Sequence, residues 1–344
     1  MQQNNSDQSI SEKSLQIKEA QLHPYPKGWY VVADSKDVLP GKIVSKKIFG
    51  QEIIIFRTQK GKICVAGAFC PHLGAHIGKG GAVENETVRC PFHDFCFDTD
   101  GNCVKTGYEK TPPKNAKLSV WNYQELNGFI LVWFHKDGTG PEWKIPAIDF
   151  TGWSQVKTIE WKLKSHPQET AENSVDLGHL SIVHKYKGVE MINPVKTTGP
   201  YLNAKYAMHR NAGFIGKPKK YFRSEFEVHV HGLGYSFVEV DVPEFGIRTR
   251  HFVFPTPLDG EHINLKVGIS LMKIEKKSKV HPLLSVFPDA LANKLVLNGA
   301  FKGYAHDVSQ DFFVWENKKY VQTPVLAEGD GPIMLYRKWC EQFY

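Results

Sequence analysis

The feature that most constrains this chain is Cys70-Pro-His72 followed, after residues 73–89, by Cys90-Pro-Phe-His93. Each short loop delivers one thiolate and one imidazole. Two Cys on one iron and two His on the other is the ligand set of one kind of [2Fe-2S] cluster, and two loops that must close on one cofactor leave little freedom in the fold around them. A structural zinc site competes, because Cys and His also suit tetrahedral Zn²⁺. Zinc motifs usually group like ligands at short spacing, whereas each loop here mixes the two types. The mixed loops favour the cluster and one-electron transfer. Leu73-Gly74 and Pro91 read as tight turns that let backbone N–H groups approach the sulfurs and tune the potential.

At 344 residues the chain can form two cored domains. Residues 1 to about 22 form a polar arm with neither a secretory core nor a spanning stretch, so the expectation is a cytoplasmic protein with no membrane span. The remaining cysteines, Cys64, Cys96, Cys103 and Cys340, are scattered rather than arranged as a disulfide framework. Cys96 and Cys103 could approach across a hairpin, but a disulfide between them is not expected. The formal charge of +7 suits an acidic redox partner. With no clustered Arg and no recognisable module, nucleic acid is not expected as a partner.

From Pro24 to about Pro141, short β-rich runs such as Gly28-Trp-Tyr-Val-Val-Ala and Phe129-Ile-Leu-Val-Trp-Phe alternate with turn residues. This reads as an all-β domain over 23–145, with both ligand loops inside it and a hairpin turn at Asp98-Thr-Asp-Gly101. Beyond a Pro- and Gly-containing passage the character changes. Residues near Gln168 to Tyr186 read as helical, Tyr221 to Lys273 as long strands, and about Pro288 to Lys319 as a last long helix. Strands followed by a helix predict an α+β domain over 146–344, an antiparallel sheet packed by helices.

The second domain carries its own constellation. In Glu172-Asn173-Ser-Val-Asp176-Leu-Gly-His179-Leu-Ser-Ile-Val-His184, two His lie five residues apart beside an Asp and an Asn. Two imidazoles and a carboxylate on one face of iron, with other positions open, form the O₂-activating arrangement of non-heme Fe(II). A regular helix does not align residues five apart, so it must widen into a π-type turn or break between them. The carboxylate must come from elsewhere: Asp311 is preferred, with Asp307 one turn earlier as its competitor. Asp176, three residues before His179, is placed to hydrogen-bond that imidazole and fix its tautomer. His229 and His231 share a strand face with Glu225 and Glu227 and read as a wet sheet surface. Lys217-Pro-Lys-Lys220 and Lys276-Lys-Ser-Lys279 read as solvated loops. No Gly-x-Gly-x-x-Gly fingerprint occurs, so a nicotinamide site belongs on another protein.

With these residues in view, the chain resembles the oxygenase component of Rieske non-heme iron oxygenases, and most of all the 3-ketosteroid 9α-hydroxylase oxygenases and cholesterol 7-desaturases. Tyr25-Pro-Lys-Gly-Trp29-Tyr, Cys90-Pro-Phe-His-Asp94, Glu328-Gly-Asp-Gly-Pro332 and Arg337-Lys-Trp-Cys-Glu-Gln-Phe-Tyr344 carry the closer match. The resemblance implies a Rieske domain followed by a helix-grip catalytic domain. It implies a [2Fe-2S] cluster on Cys70, His72, Cys90 and His93, and Fe(II) on His179, His184 and Asp311. It further implies O₂, electrons from NAD(P)H through a separate ferredoxin or ferredoxin reductase, and a hydrophobic, steroid- or sterol-like substrate that is hydroxylated or desaturated. Aromatic ring dioxygenation, O-demethylation and plain electron transfer are the rival activities. By the same resemblance the protein forms a homotrimer in which Asp176 connects His93 of one subunit to His179 of the next. Respiratory-type Rieske loops are bridged by two further Cys at positions matching Ala75 and Phe92, and that disulfide is absent here. Phe95 stands where many members have Trp, and the membrane-spanning segment of animal cholesterol desaturases has no counterpart.

The pocket is expected to be long and apolar, with Phe226, Val228, Phe237, Val238, Phe252 and Phe254 as candidate lining.

Overall fold

The computed structural model describes residues 22–212 and 217–344; most of the polar arm and the side chains of the Lys217–Lys220 cluster lie outside the described residues. The N-terminal half is built from ten strands: β1 (Gly28–Asp34), β2 (Ile43–Ile48), β3 (Gln51–Arg57), β4 (Ile63–Gly67), β5 (Ala82–Glu84), β6 (Thr87–Arg89), β7 (Cys96–Phe97), β8 (Cys103–Lys105), β9 (Tyr123–Leu126) and β10 (Phe129–Phe134). They form sheets of order β1-β10-β9, β2-β3-β4 and β5-β6-β7-β8. The β7–β8 hairpin turns where Asp98-Thr-Asp-Gly101 predicts it. Asp98 Oδ1 accepts from the N–H groups of Asp100 and Asn102, and the Gly101 N–H bonds the Asp98 carbonyl.

The rest of the chain contains β11 (Lys157–Lys164), α1 (Pro167–Glu172), α2 (Leu177–Ile182), β12 (Lys187–Thr198), β13 (Tyr201–Ala212), β14 (Lys217–His231), β15 (Ser236–Val242), β16 (Ile247–Pro257), β17 (His262–Leu271), α3 (Lys277–Val280), α4 (Asp289–Ser309), α5 (Phe312–Asn317) and α6 (Ile333–Cys340). Seven antiparallel strands line up as β11-β17-β16-β15-β14-β13-β12. The long helix α4 packs on this sheet, where Phe301 and Tyr304 meet Leu265, Val267 and Ile269 of β17. The expected α+β architecture is present. Two helices are shorter than the sequence suggests: the stretch Gln168 to Tyr186 breaks into α1 and α2, and the last long helix breaks at Gln310-Asp311.

Both faces of the seven-stranded sheet are covered. Residues i and i+2 share a face, so Val228 and Val230 point to the helix side while His229 and His231 point away. The far face meets the N-terminal half through one mixed cluster, in which Trp29, Val31, Phe129, Leu131 and Trp133 pack against Tyr235, Phe237, Phe252 and Phe254. At its margin Asp34 of β1 is buried against Lys266 of β17, Nζ to Oδ1 2.6 Å, and accepts from the Thr158 hydroxyl at 2.7 Å. This corrects two expectations. Phe237, Phe252 and Phe254 belong to the interdomain core rather than to the pocket. The His229–His231 face is not wet either, since His229 stacks on Phe237 at 4.5 Å and burial holds His231 down to about 4.

Candidate metal centres

The first loop leaves β4 and turns back on itself: the Gly74 N–H bonds the Cys70 carbonyl, and the Cys70 N–H bonds that of Ala75. The second lies between β6 and β7, closed by the Cys90 N–H on the Phe95 carbonyl. The Cys70 and Cys90 thiols are buried and interact with each other. The His72 and His93 rings sit 4.8 Å apart. The ligands therefore form a sulfur pair and an imidazole pair. Nδ1 of His93 is buried with no hydrogen-bond partner, a lone pair suited to a Lewis acid. Phe95, the residue in place of Trp, lies flat against His72 with centroids 4.4 Å apart and planes 5° off parallel. All six cysteines are free, Cys96 and Cys103 included.

Among the described residues, one group of three or more His, Cys, Asp or Glu brings its ligand atoms within 4.8 Å of one another: His179, His184 and Asp311. The four loop ligands do not converge in this way. A single tetrahedral zinc would need them to; a cluster with two irons holds each pair on its own metal and fits the arrangement observed.

The five-residue step between His179 and His184 is solved at the end of α2. Val183 N–H bonds the His179 carbonyl at 2.8 Å and His184 N–H bonds the same carbonyl at 3.4 Å, a π-type widening that swings His184 back beside His179. Their rings stand 5.1 Å apart at 74°. His184 Nε2 is 3.5 Å from Asp311 Oδ2, and both side chains are nearly buried. Burial opposes protonation of His184, but Asp311 and Gln310 outweigh it and raise its pKa, the mark of an electronegative site. Asp311 reaches this site because two i→i+3 turns, Gln310 N–H to the Asp307 carbonyl and Asp311 N–H to that of Val308, separate α4 from α5.

Each imidazole is oriented from behind. Nδ1 of His179 lies 2.6 Å from the backbone carbonyl of Asp176, so the N–H sits there and Nε2 is left for the site. Asp176 was expected to do this with its carboxylate; that group instead caps α2, Oδ1 accepting from His179 N–H at 3.1 Å, and stands 3.8 Å from Nδ1. Behind His184, Nδ1 lies 3.1 Å from Gln310 Oε1, a partner that sequence reasoning missed. Asp307 is removed from the competition. It accepts from Arg210 at 2.6 Å and from the Tyr186 hydroxyl at 2.9 Å.

The C-terminal segment fixes α1 and α2. Leu177 N–H bonds the Asp330 carbonyl, Arg337 makes a two-pronged pair with Glu172, and the Tyr336 hydroxyl donates to the Gln168 carbonyl. The three metal-site residues open onto an apolar cavity whose lining includes Leu180, Phe226, Val228, Val230, Leu233 and Val238. Phe226, Val228 and Val238 therefore take the place the sequence suggested.

Residues 132–344 match the family described as 3-Ketosteroid 9alpha-hydroxylase C-terminal domain, and residues 28–123 match the Rieske [2Fe-2S] domain. The chain is 31% identical to cholesterol 7-desaturase nvd 1 of Ciona intestinalis over 93% of this chain and 69% of that protein. It is 25% identical to the oxygenase component of 3-ketosteroid-9-alpha-monooxygenase of Rhodococcus rhodochrous, over 93% of this chain and 84% of that one. Its fold matches dicamba monooxygenase bound to dicamba with a TM-score of 0.65 at 16% identity, covering 92% of this chain and 96% of that chain. The family works with a [2Fe-2S] cluster, a mononuclear non-heme iron, O₂ and electrons supplied by a reductase partner. Among the described residues no helix is long and apolar enough to cross a membrane. The chain belongs to the Rieske non-heme iron oxygenases, as an oxidoreductase of the group that contains the 3-ketosteroid 9α-hydroxylase oxygenases and the cholesterol 7-desaturases.

Proposed function

We propose that this oxygenase component hydroxylates or desaturates a hydrophobic, sterol-like molecule, using electrons that a separate ferredoxin or ferredoxin reductase draws from NAD(P)H. The observation that carries the reading is the convergence of His179, His184 and Asp311 within 4.8 Å at an apolar cavity. Relatives named for cholesterol and for a 3-ketosteroid support the substrate class. In this reading Cys70, His72, Cys90 and His93 hold the cluster within residues 23–145, and His179, His184 and Asp311 hold Fe(II) within 146–344. When bound, the two groups supply electron storage and reductive activation of O₂.

The chain's own residues do the rest. The Asp176 carbonyl and Gln310 each hold an Nδ1 proton, so that both imidazoles present Nε2 to the site. The apolar lining excludes water and positions a C–H bond against that face. Arg210 and Tyr186 keep the Asp307 carboxylate turned away from it.

A homotrimer in the cytoplasm is part of the same proposal. Leu73 and Phe92 beside the cluster loops are 64% and 60% exposed, and Ile182 and Phe313 beside the iron site 69% and 77%. Apolar residues on both patches suit contact between neighbouring copies. In such an assembly the Asp176 side chain, partly exposed, would accept from His93 of a neighbouring copy.

The test is turnover by the reductase-coupled holoenzyme with sterols, 3-ketosteroids and methoxybenzoates, products being analysed by mass spectrometry. Oxidised or desaturated steroid products are expected. Products from methoxybenzoates alone would replace the reading with O-demethylation. Asp311→Ala should leave cluster reduction intact and abolish product; product formation at the original rate would overturn the assignment of Asp311.

A further inference from the structure

A second cavity adjoins the apolar chamber at His179, His184 and Asp311. That chamber has a volume of about 160 Å³, below the roughly 300–1,000 Å³ typical of ligand pockets. Arg210, His251, Tyr304 and Asp307 line it on one side and a second cavity, of about 780 Å³, on the other. The second cavity lies between the sheet and α4, with Phe222, Val240, Val242 and Ile247 as its floor and Leu284 and Val296 at its walls. The two spaces adjoin each other under α4, with those four residues common to their walls.

The helix that roofs the second cavity is built to leave it open. Gly299 and Gly303 lie inside the 21-residue α4, where each costs about 1 kcal/mol relative to Ala. Both line the cavity, with Ala300 between them. A Cβ added at either would meet no atom within 4 Å. Neither glycine serves a close approach or a left-handed turn, the usual reasons for glycine. Larger side chains would extend into open space, at the half-buried Gly303 more than at the exposed Gly299 on the cavity's rim.

The waist between the chambers holds the polar atoms. The Arg210–Asp307–Tyr186 group stands on one side, and His251 on the other, its Nε2 2.9 Å from the Thr249 hydroxyl and its ring 4.2 Å from that of Tyr304. A substrate with its reacting carbon at the iron face must pass between these groups to reach the second cavity.

We infer that the second cavity is a binding subsite for the apolar part of the substrate remote from the reacting carbon, so that the preferred substrate is a sterol retaining its alkyl tail rather than a tail-less steroid. This rests on the sterol reading of the iron site. The alkyl portion suits a mostly apolar space adjoining that site, and a tail-less steroid leaves it unfilled.

The test compares equilibrium binding of cholesterol and of a tail-less 3-ketosteroid to the wild-type holoenzyme and to Gly299→Leu, Gly303→Leu and the double variant. Leucine favours helix over glycine, so thermal melting of the variants should be unchanged or raised. The expected result is at least about tenfold weaker cholesterol binding to the double variant, as two or more methylenes lose their contacts, with the tail-less steroid unaffected. Equal loss of both ligands, or loss of neither, overturns the subsite while wild-type steroid turnover leaves the functional reading standing. A wild-type protein that binds neither ligand overturns both.

Discussion

Gln310 is the residue with the largest claim to influence relative to its ordinary appearance. Its amide oxygen is the partner of His184 Nδ1, and its neighbour Asp311 is the third member of the proposed iron site. Gln310→Leu keeps the side-chain size and deletes that acceptor. Fe(II) affinity, measured by titration of apo protein, should fall about 10–100-fold, the usual effect of losing a partner behind a ligand, with the cluster spectrum unchanged. The candidate ligands were legible because Cys, His and Asp in such spacings have few other uses. Gln310 was not, because an amide at a helix end is unremarkable until the fold brings the histidine that follows α2 to it. The choice of Asp311 over Asp307 is likewise explained only by Arg210 and Tyr186, which arrive from other elements.

At the scale of elements, the iron site depends on two interruptions, the widened end of α2 and the joint between α4 and α5. The sequence demanded the first, since five residues do not fit a regular turn, but gave no sign of the second. The pocket lining was half legible for a simple reason: alternation tells which strand residues share a face, not which face meets the cavity. The entry to α2 is held by Gly331, at φ +91°, where a Cβ would lie 2.3 Å from the Val175 carbonyl oxygen and 3.2 Å from Leu177 N. Gly331→Ala must therefore push the C-terminal segment off α2. A loss of about 1–3 kcal/mol in denaturant unfolding is expected, together with lower iron occupancy by metal analysis.

For the whole molecule, the junction between the two halves is the element of stability most open to test. Asp34→Ala leaves Lys266 buried, with only Glu160 at 3.3 Å to replace its partner. A loss of about 2–3 kcal/mol is expected in denaturant unfolding, less than the 3–5 kcal/mol of a charge left wholly unpaired. Acid should act through buried histidines. Burial depresses His166 and His231 to about 4 and His251 to about 3, against 6.5 when exposed. These groups are neutral when folded, so between about pH 6.5 and 4 the unfolded chain binds more protons. Stability is fully present above that window and falls as pH drops through it. Potentiometric measurement near pH 5 should find unfolding accompanied by uptake of as many as three protons; uptake near zero would contradict these assignments.

The aromatic cluster shared by β1, β10, β15 and β16 bears on chimeras. Its catalytic-side rings hang from strands whose opposite faces line the two cavities. Grafting the N-terminal half of a relative onto this scaffold would thus disturb the shape of those cavities as well as the seam, unless both sides of that seam were transplanted together.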